Sequence, residues 1–421
     1  MRPILIILAS LVIWTSCSKD DSPEDNIPNR TVIVYMAAEN NLSLYAQKDI
    51  NEMIKGAKQL NSRDNLILFV DKADAAEKPY IVKITQEGEQ RLYEYERDFL
   101  CSDPDNMEEV LRRCIQLCPA SESYGLVLWG HASGWIIQDS VQNSIYGMPR
   151  RAYGVDNGQN QTVVNGKWIN IPSMRKVFSS LGIKWKFIFS DCCNMQSIET
   201  AYELRNNADY LIASPAEISG NGADYEKIVP AMYLRNDVQM YKSVCDLYNS
   251  QVDPKGGHLP ISTIMTSQLE ALAQATRNIL PTVTANVPKD DFGQGHIYYF
   301  GVVENDGWTV KYLKNEKAFY DMNDIILWGL TNANMTEAYG TWRAAFDQAV
   351  VYSKMSTFWH AQYLEQKSDK TYKDFTVTSE NYGGVSMFFP LTKYDNSSFK
   401  HNENIKKMSW YYAVGWSELG W

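Results

Sequence analysis

Two short apolar runs, each stopping at a reactive side chain, constrain this chain more than any other feature. Tyr124-Gly-Leu-Val-Leu-Trp-Gly leads into His131, and Trp185-Lys-Phe-Ile-Phe-Ser-Asp-Cys leads into Cys193. Strands buried on both faces of a parallel sheet read as nearly continuous hydrophobic runs, and ligands of open α/β sheets bind beyond the carboxyl ends of such strands. His131 and Cys193 fall at two such ends. A thiol beside an imidazole there makes an activated nucleophile, because thiolate is the attacking species and a nearby His shifts the thiol toward it. Each residue alone has a plainer reading, since buried cysteines are mostly inert and a lone His is more often a satisfied structural group. The pair, a strand-end His followed one crossover later by a strand-end Cys, says more than either.

The surrounding pattern fits that sheet. Thr31 to Ala38 and Asn65 to Val70 read as strands flanking an amphipathic helix over Leu42 to Lys58, a βαβ opening. Tyr80 to Ile84 and Gln90 to Tyr95 flank Gln86-Glu-Gly88 as a hairpin, and Asp103 with Pro104 begins a helix running to about Leu117. Helices over Ile171 to Leu181, Gln196 to Arg205 and Met240 to Asn249 alternate with strands over Phe187 to Ser190 and Tyr210 to Ser214. Later strands are expected over Leu259 to Met265, Ile297 to Val303 and Gly384 to Phe389. Later helices are expected over Ser267 to Ile279, Ala318 to Leu330 and Glu337 to Tyr352, and the aromatic stretch Trp410 to Trp421 should dock on the body. The alternation implies a mostly parallel sheet with helices on both faces. The polar stretch from Ile136 to Gly166 reads as an exposed loop.

Four segments resemble the clostripain-like cysteine peptidases, a bacterial branch of the caspase and gingipain group. They are Thr31-Val-Ile-Val-Tyr-Met-Ala-Ala-Glu-Asn-Asn-Leu42, Leu128-Trp-Gly-His-Ala-Ser-Gly-Trp135, Ser190-Asp-Cys-Cys-Asn-Met195, and Ala213-Ser-Pro-Ala-Glu-Ile-Ser-Gly-Asn-Gly222 with Tyr225 close behind. Weaker likeness continues through Tyr320-Asp-Met-Asn-Asp324. The resemblance implies a caspase-like α/β fold with a C-terminal α/β extension, and cysteine endopeptidase activity through a His131–Cys193 dyad and an acyl-enzyme. It implies an oxyanion site made by the backbone N–H groups of Cys193 and of the residue after His131. That residue is usually Gly in the group and is Ala132 here, which keeps the N–H but would be strained at positive φ.

The group's Asp-Ala-Cys pattern reads Asp191-Cys192-Cys193 here, which aligns Cys193 with the nucleophile. Alternation along the strand end sends Cys192 to the opposite face. In the resembled enzymes the Asp two residues before the nucleophile lines the pocket for the residue preceding the cut bond, and a carboxylate there favours Arg or Lys. For Asp191 the plainer role is capping the following helix. Asp224 offers a second carboxylate for the same pocket. Pro149-Arg-Arg-Ala152 lies where zymogens of the group are cut into two chains, so Arg151 is a candidate self-cleavage site, against the reading of a solvated charged loop.

The N-terminus carries a different message. Arg2, an apolar run from Ile4 to Trp14, and Thr15-Ser16-Cys17 have the layout of a secretory signal over residues 1–16, too short to span a bilayer. The small residues before Cys17 resemble a bacterial lipobox, which makes Cys17 the expected lipidated residue and a membrane its partner. An acidic tether follows over 17–30, whose Lys-Asp-Asp run resembles the export tag of surface lipoproteins in Bacteroidetes. Beyond it, a catalytic unit over 31–255 and an extension over 256–421 are expected.

Composition narrows the partners. Apolar content of 45% permits a substantial core, and a formal charge of −10 disfavours nucleic acid while mildly favouring cationic substrates. Of seven cysteines, none falls in disulfide-framework or zinc-ligand spacing, and the five histidines at 131, 258, 296, 360 and 401 stand apart from Cys pairs. No metal site and no EF-hand loop are written locally, so no cofactor is expected, and a calcium requirement stays open. Two other functions stay open on sequence alone: a catalytically silent surface lipoprotein that binds protein or glycan, and a cysteine hydrolase of non-peptide amides.

Overall fold

The computed structural model describes residues 30–74, 76–137, 153–158, 167–251, 258–292, 297, 300, 318–355, 378–395, 397 and 400–420. The signal, most of the tether, Cys17, Arg151 and most of the stretch from Ile297 to Val303 lie outside them.

In chain order the first half runs β1 (Thr31–Ala38), α1 (Ser43–Ala57), β2 (Asn65–Lys72), β3 (Tyr80–Thr85), β4 (Gly88–Glu94), α2 (Pro104–Gln116) and β5 (Tyr124–Trp129). It continues through β6 (Tyr153–Asp156), β7 (Lys167–Ile169), α3 (Ile171–Ser180), β8 (Trp185–Asp191), α4 (Ile198–Leu204) and β9 (Ala208–Ala213). Then come α5 (Tyr225–Met232), α6 (Asp237–Asn249), β10 (Ile261–Met265), α7 (Leu269–Ala285), β11 (Tyr320–Asp321), β12 (Val350–Lys354) and β13 (Ser386–Met387). Among the described residues nine strands form one sheet in the order β12-β10-β9-β8-β5-β1-β2-β3-β4. The five central strands pair in parallel and the flanking ones antiparallel, which is the mostly parallel α/β sheet expected.

The period-2 pattern explains the two layers. Ile33, Tyr35 and Ala37 of β1 enter one core with α2, α3, α4 and α7, while Val32, Val34 and Met36 enter the other with α1, α5 and α6. Each fully buried side chain of this size contributes roughly 1.5–3 kcal/mol. Local signals fix the helix starts: Asp103 accepts from the N–H of Asp105 with Pro104 at the first position of α2, and Ser197 accepts from Thr200 N–H to open α4. Strands β10 and β12, from the C-terminal part, extend the same sheet, and Trp410 and Trp416 are buried in its core.

Three expectations need correction. The stretch read as an exposed loop contains β6, every residue of which is buried. The Tyr153 hydroxyl donates to the carbonyls of Tyr35 and Trp129, so a polar sequence is anchored by contacts its composition does not reveal. The helix expected to run to Tyr352 ends at Ala349, and Val350–Lys354 becomes an edge strand of β-branched and aromatic residues on β10. Helix α7 continues past Pro281 to Ala285.

Candidate active site

The ladder between β5 and β8 sets the geometry. It runs in parallel from Gly125↔Phe187 to Trp129↔Asp191, and two residues further along each strand stand His131 and Cys193. Both therefore stand just past the carboxyl ends of adjacent strands, at the rim where open α/β sheets bind their ligands. The loops they begin touch closely: a Cβ on Gly134 would come within 2.4 Å of the Asn194 carbonyl oxygen, and Gly134 is held at φ +60°. Only glycine permits that approach.

His131 is half-buried, and its Nε2 lies 2.7 Å from Asn41 Oδ1. With the amide oxygen accepting, Nε2 carries the proton and Nδ1 is the basic nitrogen. Burial pushes the imidazole down to about 4, so it is neutral near pH 7 and able to take a proton. Asn41 follows β1 at the same rim. It lies in one of the resembling segments, where the polar Asn40-Asn41 pair just beyond a buried strand was the signal available.

The two adjacent thiols have different surroundings. Cys192 is fully buried and its Sγ donates to Leu128 O at 3.1 Å, with its pKa driven well up by burial. Cys193 is only partly buried, and its sulfur accepts the backbone N–H of Ile218 at 3.4 Å. A half-exposed thiol at a rim can meet a substrate, whereas a buried protonated one cannot.

Ala132 does not adopt the positive φ that would strain it; the left-handed positions in these loops are Gly130, Gly134 and Asn194. Ala132 bridges Tyr153, with Gly154 N–H donating to His131 O at 2.9 Å. That pattern uses the residues flanking Ala132 for the bridge and leaves its own N–H out of it.

Asp191 is 4% exposed, and its carboxylate accepts three bonds: Ala223 N–H and Tyr225 Oη–H on Oδ2, each at 2.9 Å, and Tyr248 Oη–H on Oδ1 at 3.0 Å. Burial raises its pKa while these donors oppose the rise. It caps nothing in α4, whose N-cap is Ser197. Gly222, at φ +55°, stands so close that a Cβ there would lie 2.7 Å from Asp191 Oδ2.

Just outside this wall is a cavity of about 340 Å³, lined by Lys48, Glu52, Ser219, Asn221, Ala223, Asp224, Gln251 and Leu259. It begins at Ser219, next to the Ile218 that holds the Cys193 sulfur. Asp224 therefore lines the cavity directly, and Asp191 lies behind its Gly222–Ala223 wall. Glu52 is paired with Lys48 at 3.0 Å and Asp224 with Lys227 at 2.7 Å. Behind the wall Asp49, bonded by Trp129 Nε1 at 2.8 Å, is pushed up to about 8 by burial and then by Asp191.

Comparison with known proteins identifies the fold and the family. The clostripain family model matches residues 34–421. A secreted C11 cysteine protease from Bacteroides thetaiotaomicron, solved with an irreversible peptide inhibitor, superimposes with a TM-score of 0.69 at 26% identity, over 93% of this chain and 99% of that one. An inactive zymogen C11 protease from Parabacteroides distasonis shares the fold at a TM-score of 0.65 and 21% identity, over 92% of this chain and 98% of that one. None of the curated proteins searched matches. Matched by the family model across nearly its whole length, the chain belongs to the clostripain family and is a cysteine protease.

Proposed function

We propose that the protein is an exported, lipid-anchored endopeptidase that cleaves after Arg or Lys through a His131–Cys193 dyad. What supports this is that His131 and Cys193 follow adjacent parallel strands by the same two residues, with the Cys193 sulfur on Ile218, the neighbour of Ser219 in an acid-lined cavity. The Cys193 sulfur attacks the scissile carbonyl carbon, and its proton passes to His131 Nδ1. The tetrahedral oxyanion lies against the N–H groups of Ala132 and Cys193, and loss of one such donor costs roughly 3 kcal/mol by precedent. Collapse breaks the C–N bond as His131 protonates the leaving amine, leaving a thioester. Water then attacks, gives its proton to His131, and releases the acid and the thiol.

Glu52 and Asp224 at the cavity wall, with the Asp191 charge behind it, favour a cationic side chain next to the cut bond. The secreted relative supports export, and lipidation at Cys17 supplies the membrane contact. Among the described residues no helix is long and apolar enough to cross a membrane. Processing after Arg151 is part of this reading, and a Cys193→Ala protein that still appeared as two fragments would rule out self-cleavage.

The main test is covalent labelling with an arginyl electrophile, read by intact mass. Wild type should gain one adduct and Cys193→Ala none; equal labelling of both would overturn the dyad.

A further inference from the structure

The carboxyl rim carries an apolar side chain that the fold leaves uncovered. Leu44, in the first turn of α1, is 89% exposed, the most exposed large apolar side chain among the described residues. A single exposed Leu is ordinary on a protein surface. The place of this one in the fold sets it apart.

Helical periodicity puts it beside the cavity. Lys48 and Glu52 both line the cavity, and Leu44 stands one turn before Lys48 on the same face of α1. The stripe Leu44-Lys48-Glu52 therefore leaves the cavity and climbs to the rim at the N-terminal end of the helix, the direction in which helical side chains lean. The adjoining wall is packed: a Cβ on Gly220, next to Ser219 of the cavity, would meet the Tyr45 ring at 3.1 Å. Leu42 and Tyr45, on either side of this turn, pack against the core that Val32, Val34 and Met36 enter, so they anchor it while Leu44 stands out.

The order of strands places Leu44 relative to the chemistry. Cys193, His131 and this turn follow β8, β5 and β1, which are consecutive in the sheet. Asn41, three residues before Leu44, holds His131 Nε2 at 2.7 Å. His131 gives its proton to the leaving amine, so the leaving segment departs on the His side of the sulfur. Continuing along the rim in that direction reaches the end of β1 and Leu44. Two strand spacings come to about 10 Å, the span of about three extended residues.

We infer that Leu44 is a specificity-determining residue that takes an apolar side chain from the first three residues of the leaving segment of a peptide substrate. This rests on the His131–Cys193 reading and deepens it: the acid-lined cavity takes a cationic residue before the cut, and Leu44, on the neighbouring turn, takes an apolar one after it. Contact removes the Leu44 surface and the facing substrate side chain from water, which drives the preference. The contact is one-sided, so selection is weaker than in an enclosed pocket, roughly three- to tenfold for Leu over Ser.

The experiment is digestion of a proteome-derived peptide library by the whole protein, with the residues on both sides of every cut read by mass spectrometry. Wild type should enrich Leu, Ile, Val, Met and Phe by about threefold or more at one of the first three positions after the cut. Leu44→Ser should abolish that enrichment with the preference before the cut as in wild type, and Leu44→Met should retain it. Leu44→Gln, a better helix former without the apolar end, replaces Leu44→Ser should serine fray the first turn. A wild type with no enrichment at those three positions overturns the inference, as does enrichment that Leu44→Ser and Leu44→Gln both keep. The basic preference before the cut, and the loss of all cutting in Cys193→Ala, are read in the same digests, so failure of either is told apart from a flat leaving side.

Discussion

Asp191→Asn separates a structural role from an electrostatic one at a single carboxyl. The side chain accepts from Ala223 N–H and Tyr225 Oη–H on one oxygen and from Tyr248 Oη–H on the other. An asparagine can keep all three contacts: its oxygen takes the Oδ2 place, its amide takes the Oδ1 place, and the Tyr248 hydroxyl turns to accept. All three bonds change from charge-assisted to neutral, a loss of about 1 kcal/mol each, offset by removing a buried charge. The net stability change should therefore stay within about 1–2 kcal/mol. Its sign depends on pH. The folded-state pKa of Asp191 is raised, so the wild type loses stability as pH rises above the ordinary carboxylate range. The substituted amide does not titrate, so the variant should gain on the wild type as pH increases. Catalysis should respond far more strongly if the charge behind Gly222 attracts a substrate cation. Losing one charge-assisted interaction of about 1.5–3 kcal/mol lowers kcat/KM for an arginyl substrate by roughly 10- to 150-fold. A matched substrate with a neutral residue at that position should be turned over as before. The assay is steady-state hydrolysis of the two fluorogenic peptides, with Tm measured alongside. Unchanged arginyl turnover in a stably folded Asp191→Asn protein would refute the electrostatic role and leave Asp191 as a packing group for Tyr225 and Tyr248.

Asn41→Ala removes the acceptor that fixes His131 while touching an exposed side chain, so kcat should fall at least about tenfold with KM and Tm almost unchanged; a parallel rise in KM would point to substrate contact instead. Glu199 is buried against the Phe388 N–H and pushed up to about 8 by burial, so the folded protein holds a proton that the unfolded chain releases above the ordinary range. Wild-type stability should therefore fall between about pH 4.5 and 8, by up to about 1.4 kcal/mol per pH unit from this group, and Glu199→Gln should flatten that slope in denaturant titrations at pH 6 and 8. Tyr153→Phe leaves the carbonyls of Tyr35 and Trp129 without that donor, so it should cost about 1–3 kcal/mol in urea unfolding and reduce turnover by loosening β6 beside His131.

Much of this molecule was legible in the chain because its information is local. Apolar runs marked the central strands, Asp103-Pro104 marked the start of α2, and two runs ending in His131 and Cys193 marked the rim, since burial on both faces imposes that pattern at each strand by itself. Other features depend on residues that meet only after folding. The polar stretch containing β6 looked like loop because its anchors, Tyr35 O, Trp129 O and the Cys101 N–H, belong to distant segments. Asn41 lies in a resembling segment that gives it no role by itself, and its contact arises where the end of β1 reaches the His131 loop.

Sequence alone thus determined the chemistry available and the layer each strand faces, because side-chain identity and period-2 alternation are properties of neighbours along the chain. Tertiary structure decided which carboxylate opens to the cavity and which thiol is exposed. Those are matters of distance and burial, and they come into being only when folding brings residues of separate segments together.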